Sequence, residues 1–208
     1  MKLSKYALYI SPNANNEDAN TAFYNPLEAT PKNRRHLPHW DQPEKFFFVT
    51  FRLADSIPQN VLEQLREVRE TWLTQHPTPW DEKTEAEYYE KFYAFFEKFL
   101  DNAHGSCILK EERICRIVHG TLRHFDGIRY DLSCFVIMPN HVHILLKVNK
   151  NYKLPDILFS WKSFSAHAIN KLRKTSGPVW QSESWDRIIR SRAHFERVFR
   201  YILDNPQK

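Results

Sequence analysis

Two apolar runs meet at a sharp turn in this chain, and the second run opens on a pair of histidines. Residues 128–138 (IRYDLSCFVIM) and 141–148 (HVHILLKV) are rich in β-branched, aromatic and aliphatic residues and read as strands. Pro139-Asn140 between them is a hairpin signal. In a strand, residues i and i+2 project from the same face. His141 and His143 therefore stand side by side, with Val142, Ile144 and Leu146 on the opposite face. Two converging imidazoles make half of a divalent-metal site. The plainer alternative is two partly exposed strand histidines with no ligand, because a chain with 10 His contains chance pairs.

The hairpin sits inside a longer alternation. FFFVTFRL (46–53) is a further strand, and WDRIIR (185–190) a short one. Helical spacing runs through 109–125 (Ile114, Ile117, Val118, Leu122, Phe125) and 155–174 (Ile157, Leu158, Trp161, Phe164, Ala168, Leu172). It also runs through about 193–204, and through two further stretches, 58–75 and 82–101, separated by HPTPW. With that last pair set aside as a helical-hairpin insertion, the order is β-α-β-β-α-β-α. This predicts an α+β protein with a ferredoxin-like βαββαβ antiparallel sheet, helices on one face, and an added C-terminal helix. Residues 1–35, rich in Asn, Pro and Ala toward their end, are expected to form an N-terminal arm or loop. Residues 36–208 are expected to form a single domain with the insertion at about 58–101.

Composition closes off several classes of function. Glycine accounts for 4 of 208 residues, and neither GxGxxG nor GxxxxGK[ST] occurs, so nucleotide folds built on glycine-rich phosphate loops are excluded. Three cysteines without metal-type spacing do not make a disulfide scaffold, and a reducing cytoplasm is expected. No stretch resembles a membrane span, so no membrane partner is expected. The net charge of +5 is unevenly spread: residues 60–101 carry −5 and residues 150–208 carry +7. A polyanion would meet the C-terminal quarter first. There Lys171, Arg173, Lys174, Arg187, Arg190 and Arg197 supply cations for a backbone, and Trp180 lies among them as a candidate base-stacking surface. Arg34 and Arg35 form a second, smaller basic arm.

The last helix has Phe195, Val198, Phe199, Ile202 and Leu203 on its apolar stripe. Tyr201 and Asn205 lie one turn apart at the edge of that stripe, so a phenol and an amide oxygen can converge. The bland reading is an ordinary amphipathic helix with a border tyrosine and an Asn before Pro206.

Together these segments resemble a known family. MPNHVHILL (138–146) looks like the His–hydrophobic–His (HUH) motif of single-strand DNA nucleases. PVWQSESWDRIIRSRAHFERVFRYILDNP (178–206) looks like the tyrosine-bearing region of REP-associated tyrosine transposases, single-tyrosine relatives of small insertion-sequence transposases. RRHLPHWDQPEKFFFVTFRLADSIP (34–58) and LRHFDGIRYDL (122–132) extend the likeness to nearly the whole chain. The resemblance implies His141 and His143 as metal ligands, Tyr201 as the nucleophile and Asn205 as a third ligand, with Mg²⁺ or Mn²⁺ as cofactor. It implies a bacterial, nucleoid-associated protein, monomeric or homodimeric. Such a protein would cleave and rejoin single-stranded or hairpin DNA at REP-like palindromes through a 5′-phosphotyrosine. A phenol is a weak nucleophile at neutral pH and a phosphodiester is anionic, so a cation at the phosphate is chemically apt. The alternative is a domesticated DNA-hairpin-binding protein with little or no cleavage.

Overall fold

The computed structural model describes residues 7–12, 22–25, 32–34, 38–40, 42–77 and 80–205. Along the chain the elements are β1 (Ala7–Ile10), β2 (Lys32–Arg34), β3 (Pro38–Trp40), β4 (Phe46–Arg52), α1 (Gln59–Gln75) and α2 (Glu82–Tyr88). A π-helical turn (Tyr89–Tyr93), α3 (Ala94–Asp101) and a short 3-10 turn (Ile108–Lys110) follow. Then come α4 (Glu112–Arg123), β5 (Tyr130–Ile137), β6 (His141–Val148), α5 (Leu154–Arg173), β7 (Trp185–Ile188) and α6 (Arg192–Asp204). The protein is α+β: five strands form one sheet in the order β1-β5-β6-β4-β7, each antiparallel to its neighbours, and β2 and β3 form a separate ribbon.

Alternation along β4 and β6 sorts side chains onto two faces. Phe47, Val49 and Phe51 join Val142, Ile144 and Leu146 in a core beneath α4 and α5, which contribute Ile114, Val118, Leu122, Ile157, Trp161 and Ile169. The polar atoms trapped there are satisfied: Trp161 Nε1 donates to Tyr130 Oη at 2.9 Å, and Tyr130 Oη donates to the Leu122 carbonyl at 2.7 Å. The other face carries Phe48, Val136, Met138 and Leu145, covered by Phe195, Val198 and Ile202 of α6 and by Tyr93 of the insertion. A register shift between Leu132 and Cys134 puts one extra residue in β5. That bulge moves Cys134 and Val136 onto the α6 face while Phe135 and Ile137 stay in the core beneath α4 and α5.

One expectation changes here, and the sheet's second face is assigned. The segment read as an N-terminal arm contributes β1, an edge strand paired to β5 from Ala7↔Ile137 to Ile10↔Cys134, with Ala7 buried. Four residues are too few to show an alternation, and the partner lies more than a hundred positions away. The helices also cover both faces of the sheet. α4 and α5 share one face as expected, while α6 and the insertion occupy the other.

The insertion has its own aromatic centre of Trp72, Tyr88 and Phe92, flanked by Trp80 and Trp185. Its exit is pinned beside the end of β4. Gly105 has φ +85°, and a Cβ there would stand 2.5 Å from the Asp55 carbonyl oxygen. The Ser106 N–H donates to Asp55 Oδ2 at 2.8 Å. Only glycine permits so close an approach in that backbone conformation.

Candidate active site

β6 places His141 and His143 on the face covered by α6, both 1% exposed. Across the sheet, His143 is opposite Thr50 and His141 is opposite Arg52. Each imidazole is oriented by a separate hydrogen bond. Asn140 Nδ2 donates to the His104 carbonyl at 3.0 Å, which turns Asn140 Oδ1 toward His141 Nδ1 at 2.7 Å. An amide oxygen only accepts, so we assign the proton of neutral His141 to Nδ1, which leaves Nε2 as a bare lone pair. His143 Nδ1 lies 2.8 Å from Thr50 Oγ1, and Thr50 Oγ1 lies 3.1 Å from Tyr93 Oη. Phe48 stacks on the His143 ring with centroids 5.6 Å apart.

The two Nε2 atoms face each other at 3.0 Å. Two bare lone pairs at that distance repel unless a proton or a cation is shared. Two ligands at right angles on an octahedral ion, each ~2.1 Å from it, are ~3.0 Å apart. Asn205 adds a second indication. It is fully buried, its Nδ2 donates to the Tyr201 carbonyl at 3.4 Å, and its Oδ1 has no partner. A buried acceptor without a donor calls for an explanation, and an ion is one. The donor set of two imidazoles and an amide oxygen fits a divalent cation. Among the described residues, no three His, Cys, Asp or Glu side chains already surround one point as a metal cage.

Tyr201 reaches the same place from α6. Its hydroxyl is 3.3 Å from His143 Nε2 and donates to the Glu97 carboxylate. Its ring meets His143 and Phe48 edge-on. Burial, and then the Glu97 carboxylate, push the phenol well above its usual pKa. The four residues singled out from sequence, His141, His143, Tyr201 and Asn205, are therefore brought together.

Three more residues on this face were not singled out. Glu97, from α3, is 3.8 Å from His143 Nε2 and holds the Tyr201 hydroxyl. Thr50 orients His143. Arg52 is buried, with its pKa lowered to about 10 by that burial, and donates to Ser56 Oγ at 3.0 Å. A signal for Glu97 does exist in the sequence. It follows Tyr93 by one helical turn and is the carboxylate in an otherwise aromatic stripe of Tyr89, Tyr93 and Phe96. The π-helical turn just before it re-aims that stripe, and such turns cluster at functional sites.

The basic residues divide. Arg187, Arg190 and Arg197 converge on His194 at the start of α6, where burial, then Arg187, Arg197 and Arg190 in that order, lower the histidine's pKa to about 4. Arg187 is paired opposite Phe48, on the face that carries the histidines and Tyr201, and lies 4.3 Å over the Tyr89 ring. Arg197 is exposed one turn before Tyr201. Lys171, Arg173 and Lys174 are exposed at the end of α5, which packs on the other face of the sheet. They are therefore not brought to the side of the sheet that carries Tyr201. Trp180 is corrected: it is 6% exposed, packs 4.8 Å from Phe51, and donates from Nε1 to Ser165 Oγ at 2.8 Å. It is a core residue with no face left for a base. Arg35 and the side chain of Arg34 lie outside the described residues.

With the fold and the geometry of the site described, comparison with known proteins shows what the chain is similar to. Residues 109–205, which contain both histidines, the tyrosine and Asn205, match the model of the family described as Transposase IS200 like. That stretch, a little under half of the chain, is similar to the IS200-like transposases. A solved structure of a REP-associated tyrosine transposase bound to a REP hairpin is similar at 14% identity and TM-score 0.46, covering 85% of this chain and 73% of that one. A transposase candidate from Deinococcus radiodurans is similar at 12% identity and TM-score 0.31, covering 84% and 98%. No curated protein sequence matches the chain. No helix among the described residues is long and apolar enough to cross a membrane.

Proposed function

We propose that this protein is a single-strand DNA transesterase that cleaves and rejoins DNA at palindromic, REP-like hairpins through Tyr201. The observation that carries the reading is the convergence of Tyr201 Oη on His143 Nε2 at 3.3 Å, beside a second imidazole nitrogen 3.0 Å further on. The family match over residues 109–205 supports it. A Mg²⁺ or Mn²⁺ held by His141 Nε2, His143 Nε2 and Asn205 Oδ1 would polarise the scissile phosphate and offset its charge. Tyr201 Oη forms the new bond to phosphorus, the bond to the 3′ oxygen breaks, and the proton lost by the phenol is balanced by the one the 3′ oxygen gains. Asn140 and Thr50 hold the two rings so that Nε2, not Nδ1, faces the reaction. Phe48 and Tyr93 line the site and exclude water, so a phosphotyrosine would persist until a 3′-OH returns. Arg187, Arg190 and Arg197 supply the cations that hold the strand beside the tyrosine.

The test uses hairpin oligonucleotides drawn from the palindromes flanking the protein's own gene. With Mn²⁺, the wild type should form a covalent protein–DNA adduct on single strands; chelation or Tyr201→Phe should abolish it while DNA binding remains. The second reading, a hairpin-binding protein without cleavage, is favoured by the buried, Glu97-held state of the Tyr201 hydroxyl. It predicts DNA affinity unchanged by chelation and no adduct at all.

A further inference from the structure

We infer that the acidic insertion completes the metal site, with Glu97 as its one anionic protein ligand; this deepens the reading above and rests on it. The insertion is anchored at the centre from two directions. Its exit loop supplies the His104 carbonyl that fixes Asn140, and through Asn140 the ring of His141. Its π-helical turn supplies Tyr93 to Thr50, and α3 supplies Glu97 to Tyr201 and His143.

The charge argument selects the ligand. Two neutral imidazoles and an amide bring no negative charge, whereas Mg²⁺ and Mn²⁺ favour oxygen donors and carboxylates above all. Glu97 is the carboxylate that contacts this centre, and its side chain is only 17% exposed. Its Oε1 stands 3.8 Å from His143 Nε2. Two ligands at right angles on an octahedral ion are ~3.0 Å apart, so Oε1 needs a shift of at least about 0.8 Å, within the swing of a glutamate side chain, to reach ligand spacing from His143 Nε2. The same position explains a conflict. A bare carboxylate beside the nucleophile repels an incoming phosphodiester, and binding to a cation removes that repulsion while keeping the carboxylate where it is.

Mn²⁺ binding to the full-length protein, read from the electron paramagnetic resonance signal of free Mn²⁺ without DNA, tests this directly. Glu97→Gln keeps size and shape, so the fold should be unaffected. The expected result is a loss of Mn²⁺ affinity on the order of tenfold or more for Glu97→Gln, with abolition for His143→Ala. Wild-type affinity in Glu97→Gln, within twofold, together with faster adduct formation, would overturn the inference and make Glu97 a lock on Tyr201. In that case the His pair would still bind the ion. If the wild type itself bound no Mn²⁺, the metal-dependent reading of the whole site would fall with it.

Discussion

Replacing Thr50 with valine removes one oxygen and keeps the side chain's shape. Thr50 is 3% exposed, and its Oγ1 lies 2.8 Å from His143 Nδ1 and 3.1 Å from Tyr93 Oη. In the variant, a buried imidazole nitrogen and a buried phenol both lose a partner. A buried polar group left unpaired costs about 1–3 kcal/mol, partly offset by the added methyl in an apolar layer. The more specific consequence concerns the metal. Without Oγ1 the hydrogen bond that orients the His143 ring through Nδ1 is lost, and Nε2 is no longer held toward an ion. Losing such a supporting hydrogen bond typically lowers metal affinity ~10–100-fold. Urea denaturation should show a fall of about 1–3 kcal/mol. A Mn²⁺ titration of the same sample should show the affinity loss, with Thr50→Ser close to wild type. A Thr50→Val protein with the expected stability loss but unchanged Mn²⁺ affinity would refute the reasoning, because His143 would then be oriented by packing alone.

Three further outcomes follow from the same structure. His194 has a folded-state pKa of about 4 against an ordinary ~6.5, so the unfolded chain binds the extra proton first as pH falls. Stability should therefore drop between pH 7 and pH 4, by up to about 3 kcal/mol, and His194→Asn should flatten that slope in urea melts at the two pH values. Trp180→Ala should cost about 3–5 kcal/mol by cavity formation while leaving DNA affinity per folded molecule unchanged; weakened binding by fully folded variant would return Trp180 to the DNA surface. Arg197→Ala should lower the salt dependence of single-strand binding by about 0.7 in log–log slope if the guanidinium neutralises one phosphate, whereas Lys171→Ala with Lys174→Ala should leave the slope unchanged.

Much of this centre was legible because its signals are local. The two-residue period of β6 fixes the faces of His141 and His143, and the helical period of α6 fixes Tyr201 and Asn205 on one side. The helical pair at 58–101 was likewise visible from spacing, and it forms α1, α2 and α3. Its place over the face that carries Tyr201 and the histidine pair was not, because that depends on Trp185 of β7 packing among Tyr88, Tyr89, Tyr93 and Phe96. Net charge gave no hint of this placement: residues 60–101 carry −5, and one of those carboxylates, Glu97, accepts from the Tyr201 hydroxyl. The basic cluster at the end of α5, close in sequence to the tyrosine region, lies across the sheet from it, a separation that charge along the sequence does not reveal. Thr50 gave no signal, since a threonine in a strand is ordinary and only its cross-strand partner makes it informative.

The central claim is that Tyr201 is the atom-donating group, and peptide mapping of a trapped complex tests it most directly. Wild-type protein, a single-stranded hairpin carrying its flanking palindrome, and Mn²⁺ are combined, the DNA is digested, and tryptic peptides are sequenced by mass spectrometry. The account predicts a nucleotide phosphate on the peptide following Arg200, attached at Tyr201. Attachment at Tyr93, Tyr89 or any other residue would contradict it.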